Sequence, residues 1–586
     1  MRGTEWRLPF GANLVGAEQT RFRIWAPGQQ KLSLALEGRE PLAMTACAGG
    51  WFEATADCGA GTLYRYLLQD GIAVPDPASR AQSDDVHGPS IVVDPAAYKW
   101  RNEVWRGRPW EETVLYELHA GILGGFTGIT RELPRLADLG VTAIELMPIA
   151  EFPGSRNWGY DGALLFAPES SYGTPDQLKV LIDAAHDHHL MVFLDVVYNH
   201  FGPDGNYLGA YAPNMFRSDV TTPWGPAVDF RYEEVRRFFT ENALYWLCEF
   251  RFDGLRLDAV HAITEPDWLD EMATEIRARI RDRNVHLVLE NDDNTASHLA
   301  GHYDAQWNDD GHHVLHRLLT GEHQGYYGDY RDNPAALLAR CLKEGFVYQG
   351  EPSPYRGGKG RGTPSADLPA TAFVLFLQNH DQIGNRAFGE RLTSLTKPAA
   401  LKAAIALQLL SPQIPLIFMG EENASEAPFL FFTDHNEELA RAVRDGRHRE
   451  FASFKQFRDL ELLQKIPDPN ACQTFDDSKP ITGATNAESR QDLYRRLLTL
   501  RRENIVPRLN GTRALDAQAV GAAAVSARWR MGDGAILTLA CNLGSEAAAI
   551  EPIRQDLLFA TSETVQQSAR DGRLGPYSTL ALMAQQ

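Results

Sequence analysis

Near the middle of the chain the run Phe252-Asp-Gly-Leu-Arg-Leu-Asp-Ala-Val-His261 brings Arg256, Asp258 and His261 together at the end of a short apolar segment. Strand alternation puts Leu255 and Leu257 on one face and both charges on the other. Arg and Asp fit poorly in a strand and are costly to bury unless paired, so they need a partner or a task. The chemistry open to them is nucleophilic, with Asp258 as an attacking carboxylate that Arg256 keeps ionised. Read alone, the same two residues make an ordinary structural ion pair.

Three further stretches tip that balance. Phe193-Leu-Asp-Val-Val-Tyr-Asn-His200 runs an apolar strand through Asp195 into Asn199 and His200; Leu287-Val-Leu-Glu290 ends on a carboxylate; Phe376-Leu-Gln-Asn-His-Asp381 ends on His380 and Asp381. Buried parallel strands that each release polar groups at the C-terminal end describe the rim of a (β/α)8 barrel.

In order and spacing these stretches resemble the motifs of the α-amylase family, glycoside hydrolase family 13. The resemblance implies a retaining glycosidase with Asp258 as nucleophile, Glu290 as acid/base and Asp381 as transition-state stabiliser. It implies that His200 and His380 bind sugar hydroxyls, that Arg256 holds Asp258 and that Asp195 supports the rim, with His261 beside them in the substrate-binding set. In Asn157-Trp-Gly-Tyr-Asp-Gly162, Tyr160 would floor the sugar subsite next to the nucleophile, while Trp158 reads either as a second stacking ring or as a packing residue.

Further stretches, among them Gln306-Trp-Asn-Asp-Asp310, Gly325-Tyr-Tyr-Gly-Asp-Tyr330 and Gln378-Asn-His-Asp-Gln-Ile-Gly-Asn-Arg386, resemble the trehalose-releasing branch of that family along nearly the entire chain. They add Asp310 and Gln382 to the expected substrate-binding residues. They imply hydrolysis of the α-1,4 bond next to the terminal trehalose of malto-oligosyltrehalose, with a malto-oligosyltrehalose synthase as functional partner. Asn423 and Gly311 stand where an aromatic residue is expected, which marks the aglycone side as a point of departure. Two rivals remain. A 1,4-α-glucan branching enzyme, named with the debranching enzymes of the same family as the alternative, would be expected to carry His-Asp-Glu at His380-Asp381-Gln382, and a non-catalytic amylase-like binding subunit to have lost one of the three carboxylates.

The mechanism requires Glu290 to carry a proton near neutral pH while Asp258 stays charged. Retention of configuration places the two carboxyls about 5 to 5.5 Å apart. No metal and no cofactor is expected. His312 and His316 have helical i, i+4 spacing but lack the Glu of a zinc protease motif, and Asn291-Asp-Asp-Asn294 lacks the Gly and Glu of an EF-hand. Arg356-Gly-Gly-Lys-Gly-Arg-Gly-Thr363 lacks the end of a phosphate loop and reads as a flexible rim loop.

With 586 residues the chain is too long for one ordinary domain. The expected fold is α/β, a (β/α)8 TIM barrel with an N-terminal and a C-terminal β-sandwich. Residues 1–95 alternate as a sandwich whose Phe22-Arg-Ile-Trp-Ala-Pro27 resembles the carbohydrate-binding-module-like domain of branching enzymes; its Trp25 and Trp51 read as core. A connector follows at 96–112, then the barrel at 113–487 with a loop domain inserted at about 199–231, then a final helix and β domain at 488–586. The barrel strands are expected at 114–119, 141–148, 191–196, in the stretch 252–261, and at 287–290, 303–308, 372–378 and 415–419.

A net charge of -20 disfavours nucleic acid or an anionic membrane and suits a neutral glycan. Met1-Arg-Gly-Thr-Glu-Trp-Arg has no apolar leader core and no apolar run approaches the roughly 20 residues of a membrane span, so a cytoplasmic protein is expected. Six scattered cysteines without a CxxC pair read as reduced thiols.

Overall fold

The computed structural model describes residues 6–222, 224–452, 460–484, 486–554 and 556–585; Met1 to Glu5 of the leader reading lie outside them. Eight parallel strands close into a barrel: β1 (Leu115–Leu118), β2 (Ala143–Leu146), β3 (Met191–Val196), β4 (Gly254–Leu257), β5 (His286–Leu289), β6 (Ala305–Trp307), β7 (Phe373–Phe376) and β8 (Ile414–Phe418), with β8 pairing back onto β1. They read as apolar runs because helices cover the outside and side chains fill the inside, leaving no wet face. Phe193, Val288, Trp307, Val374, Phe376 and Leu416 form the barrel floor. At about 1.5–3 kcal/mol for each large apolar side chain fully buried, this layer is a main source of rigidity beneath the rim.

Above the floor the inward positions turn polar. Register sets Glu117 of β1 beside Glu145 of β2, and Asp195 of β3 beside Arg256 of β4. Outer helices such as Gly125–Leu139, Pro175–Asp187 and Pro398–Leu410 bury their inner faces. The second of these starts on a capping box in which Thr174 and Gln177 satisfy each other's backbone N–H groups.

The N-terminal region forms two antiparallel sheets. In the first, Gln19–Trp25 alternates, burying Phe22 and Ile24, and pairs with Gly11–Gly16 and Trp51–Ala56. Trp25 and Trp51, expected as core, pair across the strands and lie only half-buried; Trp51 stacks on Phe10 and carries the Arg23 guanidinium 4.5 Å above its ring. After β3 the chain makes a short helix, Leu208–Tyr211, and a hairpin, Phe216–Thr222 with Gly225–Val228.

At the other end, helix Ala487–Leu500 buries Tyr494, Leu497 and Leu498 and leads into an antiparallel sheet ordered Arg513–Gly521, Ala524–Arg530, Ile536–Asn542, Ser578–Ala584 and Asp556–Ala560. This sheet packs on Pro398–Leu410, where the Thr579 hydroxyl donates to the Ala403 carbonyl at 2.7 Å. Among the described residues no helix is long and apolar enough to cross a membrane.

Candidate active site

Arg256 is the hub. Its guanidinium is wholly buried, lies 4.2 Å above the Trp307 ring and donates from Nη1 to Asp195 (2.7 Å) and Asp258 (2.9 Å) and from Nη2 to Glu290 (2.8 Å). Burial opposes its charge, but Asp195 and Glu290 outweigh that and hold it firmly protonated. A planar fork of this kind fixes the relative position of the carboxylates it touches, which a lysine could not.

Asp258 follows β4. Its Oδ1 meets Arg256 and its Oδ2 accepts from the Asn199 amide at 2.9 Å. The next residue, Ala259, sits in the left-handed region at φ 40°, and its N–H reaches Glu290 Oε2 at 2.8 Å. Such a backbone is costly for alanine, and it buys a hydrogen bond to the second carboxylate. Glu290 thus has Oε2 engaged twice, while Oε1 takes no hydrogen bond from the described residues. Asp381 lies in the first turn of the short helix His380–Gly384 after β7, partly exposed, with Oδ1 accepting from Asn385 at 3.1 Å.

Behind these carboxylates runs a polar chain. His380 Nδ1 contacts Glu117, and its Nε2 lies 2.8 Å from the Tyr160 hydroxyl, which donates to Asp195 at 2.6 Å. The Tyr160 ring lies 5.1 Å from the His380 ring and nearly parallel to it. Burial works against a charged His380, but Asp381 and Glu117 overcome it and push the pKa up to about 9. Burial pushes Asp195 up to about 7 against the pull of Arg256. His200 contacts the Tyr160 carbonyl at 2.9 Å and stacks against the exposed Trp224; burial lowers its pKa.

A family model for the "Alpha amylase, catalytic domain" matches residues 82–214, and one for a domain of unknown function, DUF3459, matches 512–580. A malto-oligosyltrehalose trehalohydrolase of Deinococcus radiodurans is 42% identical over 85% of this chain and 84% of its own. That of Saccharolobus solfataricus is 41% identical over 85% and 87%. The chain belongs to the malto-oligosyltrehalose trehalohydrolases of the α-amylase family. It is a glycosidase. A crystal structure from Salmonella typhimurium, provisionally named an alpha amylase, superposes with a TM-score of 0.93 at 44% identity, covering 99% of this chain and all 100% of that one. A branching enzyme of Mycolicibacterium paratuberculosis is 34% identical over only 42% of this chain and 37% of its own.

In this family member the rim brings together Asp258, Glu290, Asp381, Arg256, Tyr160, His200, His380 and Asp195. His261 and Gln382 line, with Glu290 and Asp381, a cleft of about 260 Å3. Other expectations need correction. Trp158 offers no face to a sugar: it stacks on Phe429, donates to the Leu430 carbonyl at 2.9 Å, and has Gly384 so close that a Cβ there would fall 2.0 Å from its ring. Asp310 is fully buried away from the cleft, accepting from Asn294, Arg361 and the N–H groups of Val347 and Tyr348. It anchors loops. Its neighbour Asp309 lines the cleft instead, and burial, with Glu290 nearby, pushes its carboxyl well up.

Gly311 is packed so tightly that a Cβ would meet Leu375 at 2.8 Å, and Asn423 is buried between Glu422 and Gln491, so neither position can present an aromatic ring to the cleft. The 356–363 segment, expected to be flexible, is pinned: Arg356 pairs with Asp292 and Asp293, and Arg361 with Asp292 and Asp310. These arginines also neutralise the acidic run that follows Glu290. Buried His312 and His316 spend ring nitrogens on the Leu377 carbonyl and Glu322.

The residues missed in the sequence are Asp309, Glu117, Glu145 and the two arginines of this loop. Both carboxylate oxygens of Glu145 lack a hydrogen-bond partner among the described residues, and burial, with Glu117 and Asp195 adjacent, pushes its pKa well up.

A pH dependence follows from His380. Its folded pKa is raised, so its stabilising contribution is complete below the unfolded value of about 6.5 and is lost as pH rises through about 9. Turnover and Tm are expected to fall together above pH 9, and Glu117→Gln to move that fall to lower pH. An unmoved alkaline limb in the variant would assign it to another group.

Proposed function

We propose that the chain releases trehalose from malto-oligosyltrehalose by a retaining double displacement at Asp258 and Glu290. The observation that carries this reading is the single buried guanidinium of Arg256 bridging both carboxylates while one oxygen of Glu290 stays free. The Glu290 proton passes to the glycosidic oxygen, Asp258 attacks the anomeric carbon, and the bond to trehalose breaks. Water, giving its proton to Glu290, then attacks that carbon and frees Asp258 and the shortened malto-oligosaccharide. Asp381 stabilises the positive charge that develops on the sugar between these states.

Arg256 suits both halves. Asp258 is the anion in the free enzyme; once it is esterified, Glu290 is the anion. The fork therefore always holds one of them charged, with no reorganisation of its own. Tyr160, His200, His380, His261 and Gln382 bind the sugars, and Asp195 acts through Tyr160 and Arg256. The reading goes with a division at 1–95, 96–112, 113–487 and 488–586, a cytoplasmic location and supply of substrate by a malto-oligosyltrehalose synthase.

Incubation with maltopentaosyl-trehalose and, separately, with amylose tests it. Free trehalose from the first is expected. New branch points on amylose without trehalose would instead favour a branching enzyme, a rival with a partial relative.

A further inference from the structure

Away from the catalytic rim, at the N-terminal ends of β4 and β5, lies an open cavity of about 900 Å3. Five arginines line it, Arg106, Arg251, Arg279, Arg281 and Arg283, against only two carboxylates, Glu103 and Asp282. In a chain of net charge -20 this local excess of cations runs against the whole. Helix C-termini attract cations, and two of the five are explained in that way or by a partner. Arg279 pairs with Glu275 at 2.9 Å, and Arg283 donates to the Leu247 and Phe252 carbonyls, where helix Glu233–Cys248 has ended.

The other three are not explained so. Among the described residues the Arg106 side chain bonds only main-chain oxygens of Glu103 and Trp105, and neither Arg251 nor Arg281 has a carboxylate within ion-pair reach. Arg251 adopts φ 61°, a left-handed position after a helix where glycine is the low-cost residue, and its guanidinium is laid over Trp100 at 4.6 Å. Its own burial and Arg283 work against its charge and outweigh Glu103 and Asp183, which support it. A strained backbone that holds a half-buried, unpaired cation beside other cations is an arrangement that an anion would relieve.

We propose that this cavity binds a small polyanion, of the class of oligophosphates and metabolites carrying two or more phosphates. Guanidinium forks match phosphate oxygens, and the volume accommodates several such groups. Asp253 connects the site to the catalytic strand: it accepts from Trp105 (2.7 Å) and Arg283 (3.4 Å) on the cavity side and from the Val192 N–H (3.0 Å) at the foot of β3.

The test is calorimetric titration of the full chain with sodium tripolyphosphate at physiological salt, for wild type, Arg251→Gly, Arg281→Gln and Arg528→Gln. Arg251→Gly installs the residue the backbone favours, so its Tm is expected to equal or exceed that of wild type. Saturable binding to wild type is expected, weakened about tenfold in each of the two cavity variants and unchanged in Arg528→Gln, which removes a cation from the C-terminal sheet. No binding to wild type, equal affinity across the four proteins, or an equal loss in Arg528→Gln would overturn the proposal.

Discussion

Replacing Asp258 with asparagine is expected to lower kcat by about 10^4-fold or more while leaving KM within a few-fold of wild type. Asparagine keeps the shape of the side chain and can still accept from Arg256 through its single carbonyl oxygen, with its amide nitrogen turned toward Asn199, but it is not a competent nucleophile. The alternative for this residue, a structural ion pair, makes the opposite forecast: lost stability with turnover of the remaining folded protein largely intact. The surroundings of Asp258 decide between them. Asp258 repels the neighbouring Asp195 carboxylate, and Arg256 keeps its hydrogen bonds to Asp195 and Glu290 when Asp258 is neutralised, so the substitution removes a repulsion without leaving the buried guanidinium unpartnered. The variant is therefore expected to melt at or above the wild-type temperature. Steady-state kinetics and a thermal melt on one preparation check both halves.

Replacing Arg256 with methionine is expected to do the reverse to the fold. It leaves the same carboxylates buried or half-buried without their cation, and breaking a buried pair in this way costs about 3–5 kcal/mol. The side chain is fully buried beneath the rim, so solvent cannot screen the loss. Activity should fall by about 10^3-fold as well, because Asp258 and Glu290 lose the fork that sets their spacing. Arg256→Lys keeps the charge but not the bidentate geometry; it should regain much of the stability and little of the activity. Denaturant unfolding and kcat for the two variants separate these contributions. If lysine restored both, the fork geometry would be irrelevant and only the charge would count.

How much was legible in the sequence follows from how local each signal was. The barrel could be read because each buried strand announces itself within a few residues, and Arg256 stood out as a charge in an apolar run. Glu117 in Leu115–Leu118 and Glu145 in Ala143–Leu146 carry the same anomaly and could have been flagged by it; their role stayed hidden because Glu117 meets His380 263 residues away. Asp309 and Asp310 are adjacent at the start of helix Asp309–Thr320, and side chains one residue apart point in different directions, so sequence could not say which faces the cleft. Trp158 and Tyr160 lie in one Gly-rich loop, yet Phe429 and Leu430 of the segment after β8 cover the tryptophan. The glycines of 356–363 suggested mobility, but its two arginines find Asp292 across the cleft, a pairing visible only in three dimensions.

The most direct measurement follows the anomeric proton of the newly formed reducing end by NMR during the first minutes of hydrolysis of maltopentaosyl-trehalose. Double displacement through an ester on Asp258 inverts the anomeric carbon twice, so the malto-oligosaccharide must appear first as the α-anomer and only then mutarotate. A product that appears first as the β-anomer would show a single inversion by water and contradict Asp258 as the nucleophile.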